Sequence, residues 1–146
     1  QLELGFNYRL TDIHAALGTS QLRRLDAFVM RRNQLAAQYD QMLADANVEL
    51  QHVPTNVLSA RHLYVVRVPA ERHARAFAFL REHGVGVNLH YIPVHLQPWY
   101  LALGFKAGQF PEAESYYSEA ISLPMYSTLT NEQQNYVVKI LKEAIA

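Results

Sequence analysis

Apolar residues at Ile13, Leu17, Leu22, Leu25, Phe28, Val29, Leu35, Ala36, Tyr39 and Leu43 recur at three- and four-residue steps. That is the period of a helix with one buried face. The stretch over 12–44 exceeds an ordinary globular helix, so the pattern predicts two helices or one kinked helix. Gly18-Thr19-Ser20 and the Leu25-Asp26 region are the candidate breaks. Thr11 suits the N-cap, with Asp12 placed favourably against the helix dipole. The small apolar run Ala15-Ala16-Leu17-Gly18 suits close packing against another helix or subunit.

Beyond residue 46 the period shortens. Val48-Glu49-Leu50-Gln51 alternates as a short strand does, and Pro54-Thr55-Asn56 marks a loop. Leu63-Tyr64-Val65-Val66-Arg67-Val68 is rich in β-branched and aromatic residues and reads as the clearest strand, closed by Pro69. Residues 71–83 form an amphipathic helix pattern stopped by Gly84, and 85–90 read as the next strand. One or two helical turns are expected over 98–103. A helix over 112–120 opens behind Pro111, and Leu123-Pro124-Met125-Tyr126 reads as extended. Thr130-Asn131-Glu132-Gln133 is a capping box ahead of a last helix through Tyr136, Val137, Ile140, Leu141 and Ile145. The order predicts an α/β fold: a small mixed sheet backed by helices, preceded by a long helical segment. Two parts follow, a helical segment over 1–46 and a small α/β domain over 47–146.

Composition narrows the function classes. Half of the 146 residues are apolar and 18% are charged, a globular balance. Lys+Arg and Asp+Glu cancel at 13 each, so no global field draws nucleic acid or an acidic membrane. Arg23, Arg24, Arg31 and Arg32 cluster at helical spacing with Asp26, which reads as a solvated face. Without cysteine, disulfides, thiolate nucleophiles and zinc-thiolate sites are excluded. No apolar run reaches the ~20 residues of a membrane span, and no secretory signal is visible, so a cytoplasmic protein is expected. Gln1-Leu2-Glu3-Leu4 has no initiator methionine and runs straight into a dense polar motif, which predicts an internal start.

Two blocks carry the candidate chemistry. Asn7-Tyr8-Arg9 places an amide, a phenol and a guanidinium just ahead of a helix, where amide and guanidinium can both address a phosphate. The alternative is that Asn7 shapes a turn, Tyr8 packs and Arg9 pairs with Asp12. Asn88-Leu89-His90-Tyr91-Ile92-Pro93-Val94-His95, followed by Gln97, Trp99 and Tyr100, offers donors and flat apolar faces in one turn-rich loop, as a polar ring-shaped ligand requires. His14, His52, His62 and His73 read as surface or helix residues. The acids nearest His90 and His95, Glu82 and Glu112, are not at metal-ligand spacing, so no metal is expected. Glu112 and Glu114 read as carboxylates favouring a helix start. No serine sits in a Gly-x-Ser-x-Gly elbow, and Gly84-Val85-Gly86 is too short for a phosphate loop.

The opening Gly5-Phe6-Asn7-Tyr8-Arg9-Leu10-Thr11-Asp12-Ile13-His14-Ala15-Ala16 resembles the Gly-x-Asn-x-Arg-x-(Thr/Ser)-x-x-x-Ala-Ala segment of the DegT/DnrJ/EryC1/StrS sugar aminotransferases. The resemblance continues through His90-Tyr91-Ile92-Pro93-Val94-His95, Phe110-Pro111-x-Ala113-Glu114 and Ile121-Ser122-Leu123-Pro124-Met125-Tyr126, in order. It implies the C-terminal part of a fold-type-I enzyme that uses pyridoxal 5'-phosphate (PLP), acts as a homodimer, and transfers an amino group from glutamate to a nucleotide-linked 4-keto-6-deoxy sugar such as a UDP-sugar. The cofactor lysine would lie in a large upstream domain, since Lys106, Lys139 and Lys142 match no cofactor position. No catalytic residue is then expected within these 146 residues, and the chain alone should not turn over. The resemblance assigns Asn7 and Arg9 to the cofactor phosphate of the partner subunit, and Tyr8, His90, Tyr91 and His95 to the substrate pocket. A PLP-dependent sugar dehydratase of the same family shares most of these blocks. The competing reading is a non-catalytic module that binds a sugar nucleotide or a partner. Apart from its partners, the chain should expose Leu17, Leu22 and Leu25 and associate.

Overall fold

The computed structural model describes Phe6 and residues 8–146. Thr11 caps α1 (Asp12–Leu22): its extended backbone leaves the hydroxyl free to accept the His14 amide at 3.3 Å. The chain then breaks at Arg23-Arg24 and re-enters α2 (Leu25–Met42). The break thus falls beside Leu25 and not at Gly18-Thr19-Ser20, where the Thr19 hydroxyl donates back to the Ala15 carbonyl at 2.9 Å inside the helix. No residue of α1 is buried, whereas α2 buries Leu35, Ala36 and Tyr39. Two of the four clustered arginines are not a solvated face. Arg31 donates to the Leu129 carbonyl at 2.8 Å, and Arg32 to the carbonyls of Arg61 and His62 at 3.0 and 3.1 Å. Both pin α2 to later loops, and Leu35, Ala36 and Tyr39 of α2 belong to the one core.

Strands β1 (Glu49–Leu50), β2 (Tyr64–Arg67) and β3 (Ala120–Leu123) form one sheet in that order, with antiparallel pairing throughout. On β2, Tyr64 and Val66 are buried while Val65 and Arg67 are half-buried, so one face carries the core. The predicted helix over 112–120 stops one residue early and turns directly into β3, all four residues of which are buried. The strand expected over 85–90 is a single antiparallel bridge, Asn88 with Ser122. Val85 and Val87 still bury their side chains, so the alternation was real but the ladder is not extended.

Helix α3 (Ala70–Glu82) packs against β3 and against α6 (Asn131–Ile145), and Ala76, Leu80, Val137 and Leu141 join one core with the strands. Gly84 ends the turn after α3 at φ +74, a conformation that favours glycine. The capping box at Thr130 and Gln133 is formed as expected. Buried Gln134 donates to the Leu35 carbonyl at 2.7 Å, joining α6 to α2. At the centre, the rings of Tyr39 and Tyr64 stack 4.7 Å apart, and their hydroxyls donate to the Pro124 carbonyl (2.8 Å) and Asp40 (2.6 Å). The result is the expected α/β sandwich, with the 88–110 segment left on its outside.

Candidate active site

Asn88 carries the segment away from the core by pairing its backbone with Ser122, at 2.9 and 3.3 Å. Its side-chain oxygen takes the Leu89 amide at 2.8 Å, fixing a turn. The same bridge presents Ser122, whose buried hydroxyl lies 2.7 Å from His90 Nδ1. The Asn88 side-chain amide faces Nε2 of the same ring at 3.4 Å. With an amide N–H directed at Nε2, the ring proton belongs on Nδ1 and donates to Ser122. The edge of His90 meets Tyr91 at 4.6 Å, and Tyr91 is 71% exposed.

Pro93 then starts a 3₁₀ turn, Val94–Leu96, that turns His95 inward until only 7% of it is exposed. Pro98 opens the short helix α4 (Pro98–Ala102), and Gly104 leaves it at φ +96. The loop 104–110 folds back to α5 (Pro111–Glu119). Glu114 organises this region. It accepts His95 Nε2–H at 2.8 Å, the Gly108 amide at 2.7 and 2.9 Å on its two oxygens, and the Phe110 amide at 3.4 Å. Hydrogen bonding from His95, and then from the two amides, holds its carboxyl below the ordinary value. Glu114 is therefore more than a helix-dipole residue, and sequence reading missed it as the partner of His95. The two are 19 positions apart with no periodic relation, and only the resemblance at Phe110-Pro111-x-Ala113-Glu114 marked the region. Phe110 lies against His95 at 4.7 Å, and Phe105 against Phe110 and Tyr100 at 6.3 and 6.1 Å, all partly exposed.

The structure brings His90 and Tyr91 together and places His95 on a separate anchor. Tyr8, 91% exposed and stacked on Phe6 at 5.5 Å, and Arg9, also exposed, lie on the arm before α1. Asn7 lies outside the described residues. Among the described residues no hydrogen bond or ring contact links this arm to His90, Tyr91 or His95, and Arg9 makes no ion pair with Asp12. An exposed guanidinium just ahead of a capped helix has the donor chemistry that a phosphate monoester takes. Of the lysines, Lys142 pairs with Asp45 at 2.6 Å and Lys139 lies 3.9 Å from Glu143, while Lys106 is on the 104–110 loop. No group of three metal-binding side chains occurs among the described residues. No helix among them is long and apolar enough to cross a membrane. Concavities lie elsewhere, among them one of about 620 Å3 by Gly84, Tyr126 and Tyr136. Another of about 540 Å3 is beside β1 and β2, and one of about 790 Å3 runs along α2 past Leu25, Val29 and Leu58.

Residues 1–142 match the DegT/DnrJ/EryC1/StrS aminotransferase family. The pleiotropic regulatory protein of Geobacillus stearothermophilus is 39% identical over 144 residues, covering 96% of this chain and 38% of that protein. DesV of S. venezuelae, solved in complex with a ketimine intermediate, aligns with a TM-score of 0.89 at 32% identity, over 97% of this chain and 38% of DesV. NtdA of Bacillus subtilis, with bound cofactor PMP, aligns at 0.87 and 28%, over 99% and 34%. PseC of Helicobacter pylori, an aminotransferase involved in pseudaminic acid biosynthesis, aligns at 0.87 and 26%, over 98% and 39%. The chain belongs to the DegT/DnrJ/EryC1/StrS aminotransferase family. It spans little more than a third of the length of these relatives.

Proposed function

We propose that these residues form the C-terminal part of a PLP-dependent aminotransferase that moves an amino group from glutamate to the C4 keto group of a nucleotide-linked 4-keto-6-deoxy sugar. The match of residues 1–142 to the aminotransferase family carries the reading. The order of the polar blocks along the chain supports the sugar substrate, and the likeness to PseC supports an acceptor like that of pseudaminic acid synthesis. Bound PLP supplies the carbonyl that accepts the amino group and the electron sink for its transfer.

This chain's own residues bind and orient. The Asn7 amide and the Arg9 guanidinium hold the cofactor phosphate of a second subunit in a cytoplasmic homodimer, and Tyr8 faces the substrate there. Tyr91 and His90 border the sugar nucleotide, with His90 held by Ser122 so that Nε2 keeps its lone pair. His95 borders the same pocket from its place on Glu114. The cofactor lysine lies outside these residues, so residues 1–146 alone do not transaminate.

The test is the glutamate half-reaction of the full-length protein. L-glutamate should convert bound pyridoxal phosphate to the pyridoxamine form and release 2-oxoglutarate in equal amount. Absence of that conversion in PLP-loaded protein would remove the aminotransferase reading and favour a binding module. Asn7→Ala should weaken retention of PLP on dialysis; unchanged retention would remove that residue's assignment.

A further inference from the structure

Glu114 is unusual for an acid in the first turn of a helix, because most of its hydrogen bonding is spent away from that helix. It takes Nε2–H of a buried histidine on one side and the amides of Gly108 and Phe110 on the other. One carboxylate therefore ties the 3₁₀ turn, the 104–110 loop and α5 together. The tied loop holds Phe105 against Tyr100 and Phe110 against His95, and all three aromatic side chains remain partly exposed. Flat, partly exposed rings of this kind are surfaces on which a base or sugar ring can rest. Without the carboxylate, two backbone amides and a buried imidazole lose their acceptor at once.

We infer that Glu114 is a positioning residue for the sugar-nucleotide substrate, acting through His95 and the 104–110 loop, and touching neither cofactor nor substrate itself. The inference rests on the reading that the 88–100 block borders the substrate pocket. Charge-assisted hydrogen bonds are the stronger kind, and losing the net worth of one corresponds to about tenfold in affinity. Glutamate, a small donor that makes no use of the aromatic wall, should be affected far less.

The experiment uses the full-length PLP-loaded enzyme with L-glutamate and, as acceptor probes, UDP-, dTDP- and GDP-linked 4-keto-6-deoxyhexoses. Glu114→Ala should raise KM for the best acceptor about tenfold more than KM for glutamate. Glu114→Gln keeps the shape and one acceptor oxygen, and should recover most of the loss. His95→Ala combined with Glu114→Ala should be no worse than the worse single variant, because both remove one unit. If Glu114→Ala does not fold, His95→Ala alone carries the test, through the same split between acceptor and glutamate KM. Equal changes in both KM values, or additive effects of the two sites, would overturn the inference. So would a working glutamate half-reaction with no turnover of any probe. Failure of the glutamate half-reaction in the unmodified enzyme would instead overturn the aminotransferase reading.

Discussion

Replacing Tyr39 by phenylalanine should halve the loss of stability that this domain suffers in alkali. Tyr39 and Tyr64 are both at most 1% exposed, and burial, the largest cause for each, pushes both phenols above their ordinary value. Asp40 beside the Tyr64 hydroxyl pushes that group further in the same direction. In the unfolded chain both ionise near pH 10. A raised folded pKa means that the stability is fully present below pH 10 and is lost as pH climbs towards the folded value, because the unfolded state releases protons that the native state keeps. Each phenol has a limiting slope of about 1.36 kcal/mol per pH unit, and integration from pH 10 to 11 removes about 1 kcal/mol per phenol, about 2 for the pair. At neutral pH, Tyr39→Phe leaves the Pro124 carbonyl without its donor and should cost about 1 kcal/mol. That deficit should close by pH 11, where the variant has one fewer phenol to lose. The assay is urea unfolding of residues 1–146 by circular dichroism at a series of pH values from 8 to 11, at low protein concentration. Parallel loss of stability in both proteins would refute the argument.

Ser122→Ala removes the partner of His90 Nδ1 and should raise acceptor KM about three- to tenfold in the full-length enzyme, the scale of one neutral hydrogen bond; steady-state kinetics with the accepted nucleotide sugar checks it. The Glu114 carboxyl is held below its ordinary value, so its contribution to stability is present above the usual carboxylate range and lost as pH falls through the folded value. Glu114→Gln should accordingly flatten the acid limb of stability below about pH 4, read as urea midpoints at pH 3 to 6. Leu17, Leu22 and Leu25 are about half or more exposed, so residues 1–146 alone should self-associate, and Leu17→Glu with Leu22→Glu should reduce that in sedimentation velocity. A monodisperse monomer of the unmodified chain at high concentration would contradict this.

What could be read from the residue order was mostly local. The Thr11 cap, the Thr130–Gln133 capping box and the stop at Gly84 depend on neighbours within four residues, and all formed. Strand β3 was hidden because it follows α5 without a glycine or proline between them, so the helical period ran on into Ala120. Residues 85–90 alternate as a strand does, yet the one bridge they make to a strand is Asn88 with Ser122, since alternation reports burial and not pairing. Arg31 and Arg32 looked solvated because their acceptors are carbonyls 98 and 29 positions away. The candidate site shows the same division. His90, Tyr91 and His95 stood out as a dense polar block, whereas Ser122 and Glu114, which orient two of them, lie 32 and 19 positions away and become visible only once the chain is folded.

The most direct test of the central claim is to reduce PLP onto the full-length protein with borohydride and locate the phosphopyridoxyl group by peptide mass spectrometry. The account predicts one labelled lysine, outside residues 1–146, with labelling prevented when L-glutamate is added first. Label on Lys106, Lys139 or Lys142, or none on any lysine of PLP-saturated protein, would contradict it.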